Sequence, residues 1–176
     1  MRRILSRAWL ALCAAPVIAG AQPWPAARPP AGRAWDFSLP ALDGGSFVRL
    51  SALHGPALVN FWSRDCPPCV TELPRLQRFA DAHPGWTVLL VSTDSSAAAA
   101  EFVQRHGLRL PVLRPGANVM ALMRAAGNRR GALPFTVATR IGRICGEQLG
   151  ALSGADLKRI ASGCAPAPAR PGAATP

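Results

Sequence analysis

The chain has 176 residues, of which 49% are hydrophobic, 20 are Lys or Arg and 9 are Asp or Glu, for a net charge of +11. That length excludes much beyond one domain, and that apolar share excludes a chain too polar to bury a core. The basic residues are dispersed, with Arg129-Arg130 the one Arg-Arg pair beyond the N-terminal segment. This speaks against a nucleic-acid partner and leaves an acidic protein face or an anionic membrane surface open.

Arg2, Arg3 and Arg7 form a basic start, Ala8 to Val17 a short apolar run, and Ala19-Gly20-Ala21 a small-residue cleavage site. The pattern predicts a signal peptide over 1–21. An uncleaved N-terminal anchor is the alternative, although the apolar run is interrupted by Pro16 and falls short of the roughly 20 residues that span a bilayer. Cys13, behind the large Leu12, is expected to leave with the leader. A Pro/Ala-rich linker is predicted over 22–34, a folded domain over 35–164 and a disordered tail over 165–176.

Within the domain, Trp35 to Leu39 alternates as an edge strand, Asp43-Gly44-Gly45-Ser46 signals a hairpin, and Phe47 to Leu50 is its second arm. Ala57 to Trp62 reads as a buried strand, followed by a helix from about Cys66 to Ala82. Trp86 to Ser92 is a second apolar strand, Ser96 to His106 a helix, Leu110 to Leu113 a short extended piece, and Ala117 to Ala126 another helix. Phe135 to Thr139 and Arg143 to Leu149 form a hairpin around Ile141-Gly142. Ser153 caps a last helix to about Ser162, with Asp156 completing the capping box. Alternating strands and helices that end in an antiparallel hairpin define an α/β class with a mixed sheet.

Cys66-Pro67-Pro68-Cys69 carries the chemistry. Two thiols at i and i+3 can close a disulfide across one helical turn, and the first of them meets the positive end of the helix dipole. That field favours the thiolate, the species that attacks disulfides. Pro67 and Pro68 suit a first turn that has no intrahelical use for its N–H groups. A CxxC is also half of a zinc site, which needs two further ligands at similar spacing. No second CxxC, CxH or HxxxH exists, and His54, His83 and His106 are scattered, so redox chemistry is expected, with no metal and no cofactor. Cys66 is assigned the attack and Cys69 the resolving step.

Without the leader four cysteines remain, an even number that suits an oxidising compartment, here the periplasm. Cys145 on the last strand and Cys164 just past the last helix are expected to form a structural disulfide.

These residues resemble the thioredoxin-fold oxidoreductases of the TlpA/ResA type. Asn60-Phe61-Trp62-Ser63-Arg64-Asp65-Cys66-Pro67-Pro68-Cys69 resembles that group's N-F-W-x-x-x-C-P-P-C signature, and Pro74 matches its helix-kinking proline. Leu133-Pro134-Phe135-Thr136, ahead of Arg140-Ile141-Gly142-Arg143, resembles its cis-proline segment. The resemblance implies a thioredoxin-like fold, a central mixed sheet flanked by helices, with an N-terminal hairpin extension. It implies that the cis bond at Pro134 turns the Leu133 backbone toward a substrate chain. Glu72, by default a solvated helix carboxylate, takes the place of the group's active-site glutamate, where it could move protons for the thiols. Asn60 stands where thioredoxin carries a buried aspartate, and Trp62 is expected to line the core beneath the cysteines.

Two features depart from the group. Asp65 replaces the usual aromatic before the first cysteine; its carboxylate opposes the Cys66 thiolate while Arg64 favours it. The pair Cys145 and Cys164 is not required by the group's core pattern.

The resemblance implies a reductase of exported proteins, its substrates including apocytochromes awaiting haem and copper-site proteins, and its electrons arriving from a membrane thiol–disulfide reductase. An oxidant or isomerase on the same fold is one alternative. A module holding Cu(I) on the two thiolates is another, although the motif region contains no Met or His.

Overall fold

The computed structural model describes residues 32–164. The expected leader, most of the expected linker and the expected tail lie outside the described residues. In chain order the elements are β1 (Ser38–Pro40), β2 (Phe47–Arg49), β3 (Pro56–Trp62), α1 (Pro67–Ala82), β4 (Thr87–Ser92), α2 (Ser96–His106), β5 (Val112–Leu113), α3 (Val119–Ala125), β6 (Phe135–Arg140), β7 (Arg143–Leu149) and α4 (Gly154–Ser162). β3 to β7 form one mixed sheet in the order β5-β4-β3-β6-β7, with β1 and β2 as a separate antiparallel hairpin. β3 and β4 run parallel, as do β4 and β5, while β6 and β7 are antiparallel to their neighbours.

β3 lies at the centre and is buried on both faces, which is why it reads as an apolar run broken only by Asn60. Its period of two sends Leu58 and Trp62 into a cluster with Leu73 and Leu76 of α1, Phe102 of α2, and Leu157 and Ile160 of α4. Ala57, Val59 and Phe61 face the opposite side, with Trp35, Leu50, Met123 and Ala126. Each large side chain buried this completely contributes about 1.5–3 kcal/mol. Asn60 falls between Leu58 and Trp62 on the α1 face, the one polar interruption in that row.

Several boundaries differ from the sequence reading for local reasons. Trp35 is a buried core residue whose Nε1 donates to the Leu122 carbonyl, and it is not part of a strand. The next residue, Asp36, accepts from the amides of Phe37 and Ser51 and from the Ser51 hydroxyl, so the ladder starts only at Ser38. Arg33 and Ala34, counted with the linker, run alongside β7 instead: Ala34 bridges to Arg143, and the Arg33 carbonyl accepts from Ile144. Pro111 lacks the N–H for a ladder, which shortens the predicted extended piece to Val112–Leu113. The predicted helix over 117–126 divides into a 3-10 turn, Gly116–Asn118, and α3.

The two C-terminal elements are pressed together. The register between β6 and β7 slips between Ala138, which pairs with Gly146, and Thr139, which pairs with Ile144, so Cys145 is the extra residue of a bulge. A Cβ at Gly146 would meet the Ile160 carbonyl at 2.9 Å, and one at Gly163 would collide with the Cys145 carbonyl. Only glycine allows this approach. It brings Cys145 and Cys164 to a Cα separation of 5.1 Å, bonded as a disulfide. The Ser153 hydroxyl accepts from the Asp156 amide while the Asp156 carboxylate accepts from Ser153, the capping box that starts α4.

Candidate active site

Cys66 is the N-cap of α1, with Pro67 and Pro68 in the first turn, and its Sγ accepts from the Cys69 amide at 3.3 Å. Cys66 and Cys69 are joined as a disulfide with a Cα separation of 5.2 Å. They are unequal in access: Cys66 is half-buried at the helix end, whereas Cys69 is completely buried against the Trp62 cluster. An incoming disulfide therefore meets Cys66 first. Trp62 is itself fully buried, and its Nε1 has no hydrogen-bond partner among the described residues.

The loop ahead of Cys66 is anchored from the next strand. Asp94, just past β4, accepts from the Ser63 hydroxyl at 2.8 Å, the Arg64 amide at 2.9 Å and the Ser92 hydroxyl at 3.2 Å. Sequence reasoning missed this residue because its partners come together only when β3 and β4 pair. Asp65 is well exposed, and Arg64 sits 3.8 Å from it and 4.0 Å from Glu101.

Glu72 is not solvated. It is 1% exposed, one turn beyond Cys69 on the same buried face of α1. One carboxylate oxygen accepts from Asn60 Nδ2 at 2.7 Å and the other from the Leu152 amide at 2.7 Å. The solvated expectation fails because the segment leading into α4 covers this face, a contact spanning 80 residues of sequence. Arg75 reinforces it by donating to the Leu152 carbonyl. Asn60 also donates to the Thr136 hydroxyl at 2.9 Å, leaving its own Oδ1 buried and without a partner among the described residues. Thr136 was legible in principle: it pairs with Asn60 across β3 and β6, a polar residue opposite a polar residue in two apolar strands.

Burial pushes the Glu72 carboxyl above its ordinary value of 4.5, opposed by the Leu152 amide, Asn60 and the Arg75 charge. A raised folded value means that the native state holds the proton more tightly than the unfolded chain. The resulting stability is full below about pH 4.5 and is lost as pH rises through the folded value. Glu72→Gln cannot ionise, so urea midpoints measured against pH should lose this decline. The stability difference between variant and native then changes by at most about 1.4 kcal/mol per pH unit, the limit for one proton. A constant difference from pH 4 to 8 would show that Glu72 does not titrate abnormally.

The Leu133-Pro134 peptide is cis. β6 pairs Phe135 with Phe61, so the cis peptide lies just beyond the end of β3, on the side where the chain continues to Cys66. The Pro134 carbonyl accepts from the Gly150 amide, and Leu133 packs against the cluster that includes Cys66 and Cys69. The fold thus brings Cys66, Cys69, Pro67, Pro68, Trp62, Asn60, Glu72, Leu133 and Pro134 to one end of the sheet. Cys145 and Cys164 are paired elsewhere, between β7 and α4.

Residues 30–137 match the AhpC/TSA family. The chain belongs to that family. Among curated proteins, the chain is 36% identical over 62 residues to sporulation thiol-disulfide oxidoreductase A of Bacillus subtilis, covering 32% of this chain and 38% of that protein. It is 31% identical over 93 residues to thiol-disulfide oxidoreductase ResA of Halalkalibacterium halodurans, covering 50% and 52%. The chain thus spans about half or less of the length of these relatives. Among solved structures, MTB dsbF in mixed oxidized and reduced forms is similar with a TM-score of 0.62 and 26% identity, over 73% of this chain and 95% of that one. The fold is thioredoxin-like, a mixed central sheet flanked by helices with a small N-terminal hairpin, as the sequence resemblance implied.

Proposed function

We propose that the protein is an exported thiol–disulfide oxidoreductase that reduces disulfides in periplasmic proteins through Cys66 and Cys69. The observation that carries the reading is the unequal pair at the start of α1: a reachable Cys66 and a buried Cys69 within disulfide distance. In the dithiol form the Cys66 thiolate attacks one sulfur of a substrate disulfide. A mixed disulfide forms, and the other substrate sulfur leaves as a thiolate and takes up a proton. Cys69 then loses its proton and attacks the Cys66 sulfur, releasing the second substrate thiol and closing the 66–69 disulfide. Two electrons have passed to the substrate. Glu72, buried one turn from Cys69, is the candidate acceptor of the Cys69 proton, and the unpartnered Asn60 Oδ1 can accept from the protonated carboxyl if the amide rotates. Leu133 beside the cis-proline is the candidate edge for an extended substrate segment.

The reducing direction requires an electron donor, for which a membrane thiol–disulfide reductase is the fitting class; apocytochromes and copper-site proteins fit as substrates. Export is supported by the paired cysteines, and no helix among the described residues is long and apolar enough to cross a membrane. A periplasmic oxidant or isomerase is the second reading, because a reachable Cys66 beside a buried Cys69 serves exchange in either direction. A Cu(I) module would depend on the two thiolates alone, since no group of three or more His, Cys, Asp or Glu among the described residues could hold a metal.

The test is Cys69→Ser expressed in the exporting cell. It should accumulate mixed disulfides through Cys66 that reductant releases, and the native protein should accelerate insulin reduction. Absence of both overturns the proposal. A native 66–69 pair found mostly as dithiol in cells supports the reducing direction, and one found mostly as disulfide supports the oxidant.

A further inference from the structure

We propose that Arg129 and Arg130 form a cationic lip on the substrate groove, selecting polypeptides with acidic residues beside the disulfide; this rests on the exchange reading above. The loop between α3 and β6 leads straight into the cis Leu133-Pro134 peptide. It is stapled at its base by Asn128, which is 3% exposed. The Asn128 Nδ2 donates to the Ala132 carbonyl at 2.7 Å, its Oδ1 accepts from the Ala132 amide at 3.3 Å, and its own amide donates to the Met123 carbonyl. Between the two ends of this staple lie only Arg129, Arg130 and Gly131. The arginines are therefore carried on a short, closed excursion and not on a free strand of loop.

Both arginines are exposed, and neither forms an ion pair among the described residues. The acid shown beside this loop is already engaged: Glu147, close to Gly127, pairs with Arg33 at 3.4 Å. Arg124, exposed in the last turn of α3, adds charge of the same sign. A polypeptide laid along Leu133 to deliver its disulfide to Cys66 brings the residues flanking its cysteine beside this lip. Carboxylates there gain Coulomb attraction, whereas lysines are repelled.

The experiment compares two disulfide peptides that differ only in flanking Asp or flanking Lys. Reduction by the dithiol protein at low ionic strength should favour the Asp peptide in kcat/KM by roughly three- to tenfold, as expected of two exposed charge contacts. The ratio should fall with added salt. Arg129→Ala with Arg130→Ala should bring it close to one, and Arg129→Glu with Arg130→Glu should invert it. A ratio of one in the native protein, or a ratio unchanged in both variants, overturns the lip. Uncharged hydroxyethyl disulfide separates the two claims. If the native protein reduces it yet shows no peptide preference, the lip alone fails; if it reduces none of the three, the exchange reading fails and the lip with it.

Discussion

Cys66→Ser is expected to lose disulfide exchange down to the uncatalysed background, while Cys69→Ser retains the first attack and stalls after it. A serine hydroxyl stays protonated near neutral pH, so the first variant has no nucleophile at the helix end. Cys69, buried beneath the helix start, cannot take over, because an incoming disulfide has no path to its sulfur. In Cys69→Ser the accessible thiol is intact, but nothing is left to expel the product. Single-turnover reaction with a small disulfide, followed by mass spectrometry, distinguishes the two: unmodified protein for Cys66→Ser and a stable adduct at Cys66 for Cys69→Ser. An active Cys66→Ser protein would transfer the chemistry to another group and remove the case for this site.

Loss of the second disulfide should show mainly in stability. Cys145→Ala with Cys164→Ala opens a loop whose ends are 19 residues apart. The loop-closure argument assigns such a bridge about 3 kcal/mol. For a domain of this size that lowers the thermal midpoint by roughly 10 °C. The bridge should also outlast the 66–69 disulfide under mild reduction, since Cys164 is 2% exposed whereas Cys66 sits at an open helix end. An unchanged midpoint, or alkylation of Cys164 in the native protein, would contradict a structural role. Exchange with small disulfides should persist in the double variant, because this bridge joins β7 to the end of α4 and not to the start of α1.

What could be read in advance was whatever is written locally. α2 runs Ser96–His106 as expected because Ser95 caps it and Gly107 ends it in the left-handed conformation. The start of α1 was equally plain, with Cys66 ahead of two prolines. The strand expected from Trp35 failed because alternation alone does not show that Asp36 will be claimed by Ser51, 15 residues on. The burial of Glu72 was hidden for the same reason on a larger scale: one turn of helix looks the same in sequence whether or not a distant segment covers it. The hydrogen bonds that fasten the Ser63–Arg64 loop to Asp94 were invisible for the same reason, as their donors and acceptor follow different strands.

The N–H and C=O of Leu152 are both held by α1, the first by Glu72 and the second by Arg75. Leu152 lies 80 residues downstream of the carboxyl it helps to bury. During synthesis the thiols, their helix and all five strands of the sheet emerge before the residue that completes this enclosure. A nascent chain that has reached only β7 holds its cysteines on a nearly finished sheet, yet its Glu72 still lacks the Leu152 amide and the cover of the segment that leads into α4. The enclosure of Glu72 is therefore finished only when the C-terminal segment docks. It reports completion of the domain, not formation of the CPPC helix.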